Sequence, residues 1–106
     1  MLFRSDIHLW EIHEAFSAQV AFHLKALQDQ TFLHDRAKVP RDFGPFPFER
    51  LNPTGGSVAL GHPFGATGAR ILAQAVKEMS AMPSGSRAIV SICADGGLGT
   101  VALLQN

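Results

Sequence analysis

Apolar and polar positions divide the chain into blocks of differing period. Ile7 to His13, Ile-His-Leu-Trp-Glu-Ile-His, is apolar and β-branched, which predicts a mostly buried strand. From about Glu14 to Gln28 the period changes. Phe16, Val20, Leu24 and Leu27 recur at helical spacing, with Ala15, Ala18 and Ala26 beside them and Lys25, Gln28 and Asp29 on the wet side. This is an amphipathic helix, and its alanines suggest close packing on a neighbour. Residues 31–50 carry Pro40, Pro45 and Pro47 among Phe43, Phe46 and Phe48. Prolines break regular structure there, so a long loop is expected, held down by its aromatics.

The second half is more compact in its punctuation. Ser57 to Leu60 reads as a short buried strand between Gly-rich turns. Gly65-Ala66-Thr67-Gly68 opens a second helix, with Thr67 as a candidate N-cap. Ile71, Leu72, Ala75, Val76 and Met79 form its apolar stripe, and Pro83-Ser84-Gly85 closes it. Arg87 to Cys93 is another strand. Asp95-Gly96 between two apolar runs is a hairpin signal, so Thr100 to Leu104 returns antiparallel. The order β-α-(loop)-β-α-β-β predicts an α/β fold with a mixed sheet.

Composition narrows the class without naming a chemistry. Hydrophobic residues make up 46% of the 106 and charged residues 17%, as for one small domain with its own core. Nine basic and nine acidic residues cancel, so nothing in the charge points to nucleic acid or a membrane surface. No apolar run approaches the roughly 18 residues of a membrane-spanning helix. The one cysteine, Cys93, leaves no partner for an intrachain disulfide. The N-terminus lacks the apolar core of a signal peptide and runs straight into strand-like residues. The 106 residues are therefore expected to be a piece of a longer protein, with residues 1–5 non-native or disordered. Any targeting segment would precede Asp6. Mitochondrion and cytoplasm are the expected compartments, and the sequence does not choose between them.

The candidate chemistry centres on Leu51 to Arg70. Five of the ten glycines, Gly55, Gly56, Gly61, Gly65 and Gly68, fall in this stretch around His62. Pro63 biases His62 towards an extended backbone, so the histidine should stand at a strand end on a stiff corner. Spacing alone is equally met by a Gly-rich strand-turn-helix connection without chemistry.

The string Asn52-Pro53-x-Gly55-Gly56-x-x-Ala59-x-Gly61-His62-Pro63-x-Gly65-Ala66-x-Gly68 resembles the C-terminal signature of the thiolases, which are acyl-CoA C-acyltransferases. Two further matches follow in order. His13-Glu14-Ala15-Phe16 resembles the family's Asn-Glu-Ala-Phe, with histidine where many relatives have asparagine. Cys93-Ala94-Asp95-Gly96-Gly97-Leu98-Gly99 resembles its closing Cys-x-Gly-Gly-x-x-Gly hairpin. Histidine at position 13 is similar to the thiolase subunit of fatty-acid β-oxidation trifunctional complexes.

The resemblance covers nearly the whole chain and implies the C-terminal half-domain of a thiolase-like fold, without the N-terminal domain or the loop domain that grips coenzyme A. It implies cleavage of a 3-ketoacyl-CoA by a second CoA, needing no cofactor beyond these thioester substrates and no metal. His62 would activate the acylated cysteine and donate to the enolate oxygen. Cys93 would be the acid/base thiol. His13 would stand in for the asparagine that orders the oxyanion site through a water. Phe16, Asp95 and Gly96 are the implied substrate-binding positions. At Asp95, where many relatives have glycine, the backbone N–H of a second oxyanion hole survives, but a carboxylate beside developing negative charge is unfavourable. The acylated cysteine has no counterpart here. Expected partners are acyl-CoA, CoA and the N-terminal thiolase domain, within a homo-oligomer or a β-oxidation complex. Two other readings stay open: a non-catalytic α/β interaction module, and a hydrolase built on Cys93 and His62.

Overall fold

The computed structural model describes residues 2–106. Three strands form one mixed sheet in the order β1-β2-β3. The first, β1 (Leu9–Ile12), runs parallel to β2 (Arg87–Ala94), with Leu9 level with Ala88 and Ile12 with Ser91. Strand β3 (Leu98–Gln105) returns antiparallel along β2, with Cys93 opposite Gly99 and Ala94 opposite Leu98. The tight turn between them, Asp95–Gly97, holds Gly96 at φ 76° and Gly97 at φ 74°. Side chains with a Cβ rarely adopt that conformation, which is why the hairpin needs this glycine pair.

Alternation along β1 splits the core in two. On one face Leu9 joins Ala88 and Val90 against Ile71, Ala75 and Met79 of α3 (Thr67–Met79). The buried positions of α3 (Thr67, Ile71, Ala75 and Met79) recur every four residues, so a single stripe faces the sheet. The stripe expected from sequence is narrower than predicted: Leu72 and Val76 are 41% and 55% exposed. On the other face Trp10 and Ile12 pack with Phe46, flanked by Val20, Leu24 and Leu27. These last three come from α1 (Ser17–Ala26) and the residue that follows it, and α1 itself has no fully buried residue. Phe46 anchors the long loop on Trp10, with ring centroids 5.0 Å apart. Within that loop Phe32–Arg36 forms a π-helical turn and Phe48–Arg50 a 3-10 turn.

One expectation is corrected. Ser57–Leu60 is not a strand but the short helix α2, opened by Gly56 in extended backbone and closed by Gly61. The sheet position that this strand would have filled is taken by a single parallel bridge, Trp10 with Leu51. The observed order is β-α-α-α-β-β, still α/β with a mixed sheet. At the N-terminus Arg4–Asp6 forms a 3-10 turn, and Arg4 is buried with its guanidinium donating to the Gly44 and Leu27 carbonyls, which links this segment to the long loop and to the end of α1.

Candidate active site

The turn after β1, the corner between α2 and α3, and the β2–β3 hairpin converge on one cleft of about 610 Å³. His13, Phe16, His62, Cys93, Asp95 and Gly96 all line it. All six positions singled out from sequence therefore meet, and of the three expected at strand ends only His62 arrives from a different element. His13 follows β1, its N–H donating to the Ser91 carbonyl at 2.8 Å, and Cys93 sits near the end of β2. The carboxyl ends of parallel strands are where open α/β sheets collect ligands. His62 comes instead from the α2–α3 corner, because its expected strand is a helix.

The two histidines meet edge-on, with ring centroids 4.5 Å apart. Each is held at Nδ1 by a hydroxyl: His13 by Ser57 Oγ at 3.1 Å, His62 by Thr67 Oγ1 at 2.7 Å. Sequence reading missed both partners. Thr67 was expected to cap α3, but Ala66 holds the cap position and makes no side-chain cap. The Thr67 hydroxyl, almost fully buried, serves His62 instead. Its position five residues beyond His62, within the first helical turn, is the signal that could have found it. Burial lowers the His13 pKa below the ordinary histidine value, with His62 and Arg70 pushing the same way and Glu14 opposing. His13 is therefore neutral at neutral pH.

A second layer fixes the loop. Asn52 donates to Glu14 Oε1 at 2.8 Å, and Glu14 Oε2 accepts the Val58 N–H at 3.0 Å. A Cβ at Gly56 would fall 2.2–2.5 Å from the Glu14 carboxylate, so only glycine lets the loop lie this close. Beneath His13 on the same face of β1, Glu11 is buried, and neither its Oε1 nor Arg70 Nε finds a partner among the described residues. Burial raises Glu11 to about 7, with Glu78 and Glu14 adding to the shift and Arg70 opposing it. At the hairpin, Asp95 Oδ1 accepts the Gly96 N–H at 2.8 Å. One oxygen of the Asp95 carboxylate is thus engaged by the turn's own backbone. Phe16, at 73% exposure, and Phe64, at 84%, stand over the cleft with little covering them.

A hydroxyl-braced pair of imidazoles and a thiol lining one cleft is an arrangement that can exchange protons with a bound molecule. The chain belongs to the thiolase family: the model of the thiolase C-terminal domain matches residues 2–106. It is 42% identical over 101 residues to a 3-ketoacyl-CoA thiolase of Erwinia tasmaniensis, covering 95% of this chain and 23% of that protein. It is 38% identical over 100 residues to a probable 3-ketoacyl-CoA thiolase of Caenorhabditis elegans, covering 94% and 22%. Among solved structures, the dimeric peroxisomal thiolase of Saccharomyces cerevisiae superposes with a TM-score of 0.68 at 31% identity, over 99% of this chain and 22% of that one. A thiolase of Ascaris suum in complex with coenzyme A gives 0.63 at 36% identity, over 98% and 22%. The chain thus spans less than a quarter of the length of these relatives, and the remainder of each has no counterpart in it.

Proposed function

We propose that these residues supply the acid/base half of a thiolase site that cleaves 3-ketoacyl-CoA in fatty-acid β-oxidation. The observation that carries this reading is the convergence of His13, His62, Cys93 and the Asp95–Gly97 turn on one cleft. The relatives' names supply the substrate class.

In this reading a cysteine thiolate from outside these 106 residues attacks the 3-keto carbon. The bond between C2 and C3 breaks, leaving the shortened acyl chain on the attacking cysteine and the enolate of acetyl-CoA. Cys93 gives its thiol proton to the enolate carbon. The Cys93 thiolate then takes the proton of the incoming CoA thiol, whose sulfur attacks the acyl-enzyme and releases the first cysteine. His62 draws the proton from the attacking cysteine and afterwards faces the enolate oxygen with an N–H, its ring fixed by Thr67. His13 adds a neutral N–H donor where negative charge develops. The backbone N–H of Asp95 serves the second oxygen. Substrates are acyl-CoA and CoA with no further cofactor, and the working assembly includes the N-terminal thiolase domain in a homo-oligomer or β-oxidation complex.

The test is a chimera in which this chain replaces the matching segment of the Erwinia tasmaniensis enzyme. Thiolysis of a 3-ketoacyl-CoA is expected, with loss of at least a hundredfold in His62→Ala and Cys93→Ala. A chimera that folds and binds CoA yet shows no thiolysis, or one whose activity survives both substitutions, rejects the proposal.

A further inference from the structure

We infer that Ser57 and Arg70 are positioning residues that hold His13 in the tautomer with its proton on Nε2. The inference rests on the proposed function only for its catalytic consequence. The tautomer is a property of the ring and is read without turnover.

Ser57 is buried, and its Oγ meets two groups, His13 Nδ1 at 3.1 Å and an Arg70 Nη at 3.0 Å. A hydroxyl has one proton to give and two lone pairs to receive with. The guanidinium has only protons to give, so Arg70 donates and occupies a lone pair of Ser57. The Ser57 proton then has one acceptor within reach among the described residues, His13 Nδ1. Were Nδ1 to carry its own proton, Ser57 would receive two donors and its own proton would lie buried without an acceptor, which is costly.

Electrostatics select the same state. The charged and titratable groups facing His13 are His62, Arg70 and Glu14. With Arg70 one hydroxyl away, a lone pair at Nδ1 points towards positive charge and an N–H would point its own positive end there. The neutral ring therefore has a single N–H, at Nε2, to offer the cleft. Arg70 is itself placed by α3, and Ser57 by the first turn of α2. Two helices at the Gly-rich corner thereby set the donor on a residue that belongs to the other end of the chain. An asparagine amide at this position would need no such arrangement, because its NH₂ is always a donor.

Long-range proton–nitrogen NMR correlations of the ¹⁵N-labelled chain distinguish a bare from a protonated imidazole nitrogen. His13 is assigned among the five histidines by its disappearance in His13→Gln. At neutral pH the expected result is a bare Nδ1 and a protonated Nε2. Ser57→Ala and Arg70→Met should each move Nδ1 towards the protonated signature, and Ser57→Thr should restore it. A parent protein with the proton on Nδ1 overturns the inference without any variant, as does an unchanged His13 pattern in folded Ser57→Ala and Arg70→Met. If Ser57→Ala does not fold, the parent, Arg70→Met and Ser57→Thr spectra decide. In the chimera, Ser57→Ala should lower kcat about tenfold with KM little changed. A tautomer that shifts while thiolysis stays constant upholds the inference and counts against the catalytic part given to His13.

Discussion

Asn52 completes the edge of β1 by satisfying Ile12 on both sides: its Oδ1 accepts the Ile12 N–H at 2.8 Å and its Nδ2 donates to the Ile12 carbonyl at 2.9 Å. Its own N–H donates to the Trp10 carbonyl at 2.8 Å. A side-chain amide here does what a neighbouring strand's peptide would do, and it does so at φ 43°, a conformation asparagine tolerates. Replacing Asn52 by Ala should strand a buried donor and acceptor of Ile12, costing about 2–3 kcal/mol. Asn52→Gly, which keeps the backbone conformation easy, should cost nearly as much. Urea titration separates the cases: a glycine variant as stable as the parent would assign the role to backbone geometry instead.

Gly56→Ala should be destabilising beyond a usual glycine-to-alanine change, because Glu14 is held from two sides and cannot step back. The expected loss is about 1–3 kcal/mol. Glu14→Ala alone loses the acceptor of Val58, yet the double variant should be more stable than the sum of the two losses predicts. Strict additivity in denaturation would mean that the loop yields elsewhere.

Glu11 makes a pH-dependent prediction. Its pKa rises from 4.5 to about 7 on folding, so the folded state holds this proton more tightly than the unfolded chain does. Its contribution is present below 4.5 and is lost as pH climbs through 7, a change on the order of 3 kcal/mol. His13, lowered from 6.5, works the other way: its contribution is lost as pH falls from 6.5 through its depressed value. Glu11→Gln isolates the first effect. Relative to the parent it should gain stability between pH 5 and pH 8, and an equal difference at both would remove Glu11 from the account.

The brace on His62 should matter to rate. Thr67→Val keeps the shape of a fully buried side chain but withdraws the partner of His62 Nδ1. In the chimera thiolysis should fall about tenfold, the worth of a good hydrogen bond, and Thr67→Ser should recover most of it. Equal activity in Thr67→Val would reduce the contact to packing.

The 106-residue chain by itself should show no 3-ketoacyl-CoA thiolysis, since Cys93 is its one thiol. It should also self-associate. Val101 and Leu103 are 68% and 56% exposed on β3, whose outer edge is unpaired among the described residues, and such edges recruit strands. Sedimentation giving a monomer at all concentrations would contradict this, and thiolysis abolished by Cys93→Ala would contradict the first statement.

How far the sequence could be read follows from the lengths of its elements. The β2–β3 hairpin was legible because Asp95-Gly96 demands one backbone shape between two apolar runs. Helix α3 was legible because thirteen residues display a period. Ser57–Leu60 was not, since four residues fit a strand and a helical turn equally well. The choice is tertiary: Leu51 and Asn52 occupy the edge of β1, so the residues that follow have no strand there to pair with. The residues that line the cleft stood out as motifs, but their supports did not. Ser57, Thr67 and Arg70 are ordinary polar residues in sequence, and only the fold brings their hydroxyls and guanidinium against imidazole rings.

The near-contact of Glu14 with Gly56 also constrains how this chain could change over generations. A larger residue at 56 would first require a shorter one at 14, but shortening residue 14 releases the Val58 N–H and the Asn52 amide at once. Each single step descends, and only the paired step can recover. The two positions therefore form a ratchet. Mutational drift that freely remodels the Pro-rich loop should leave this corner untouched, and with it the distance between the two histidines.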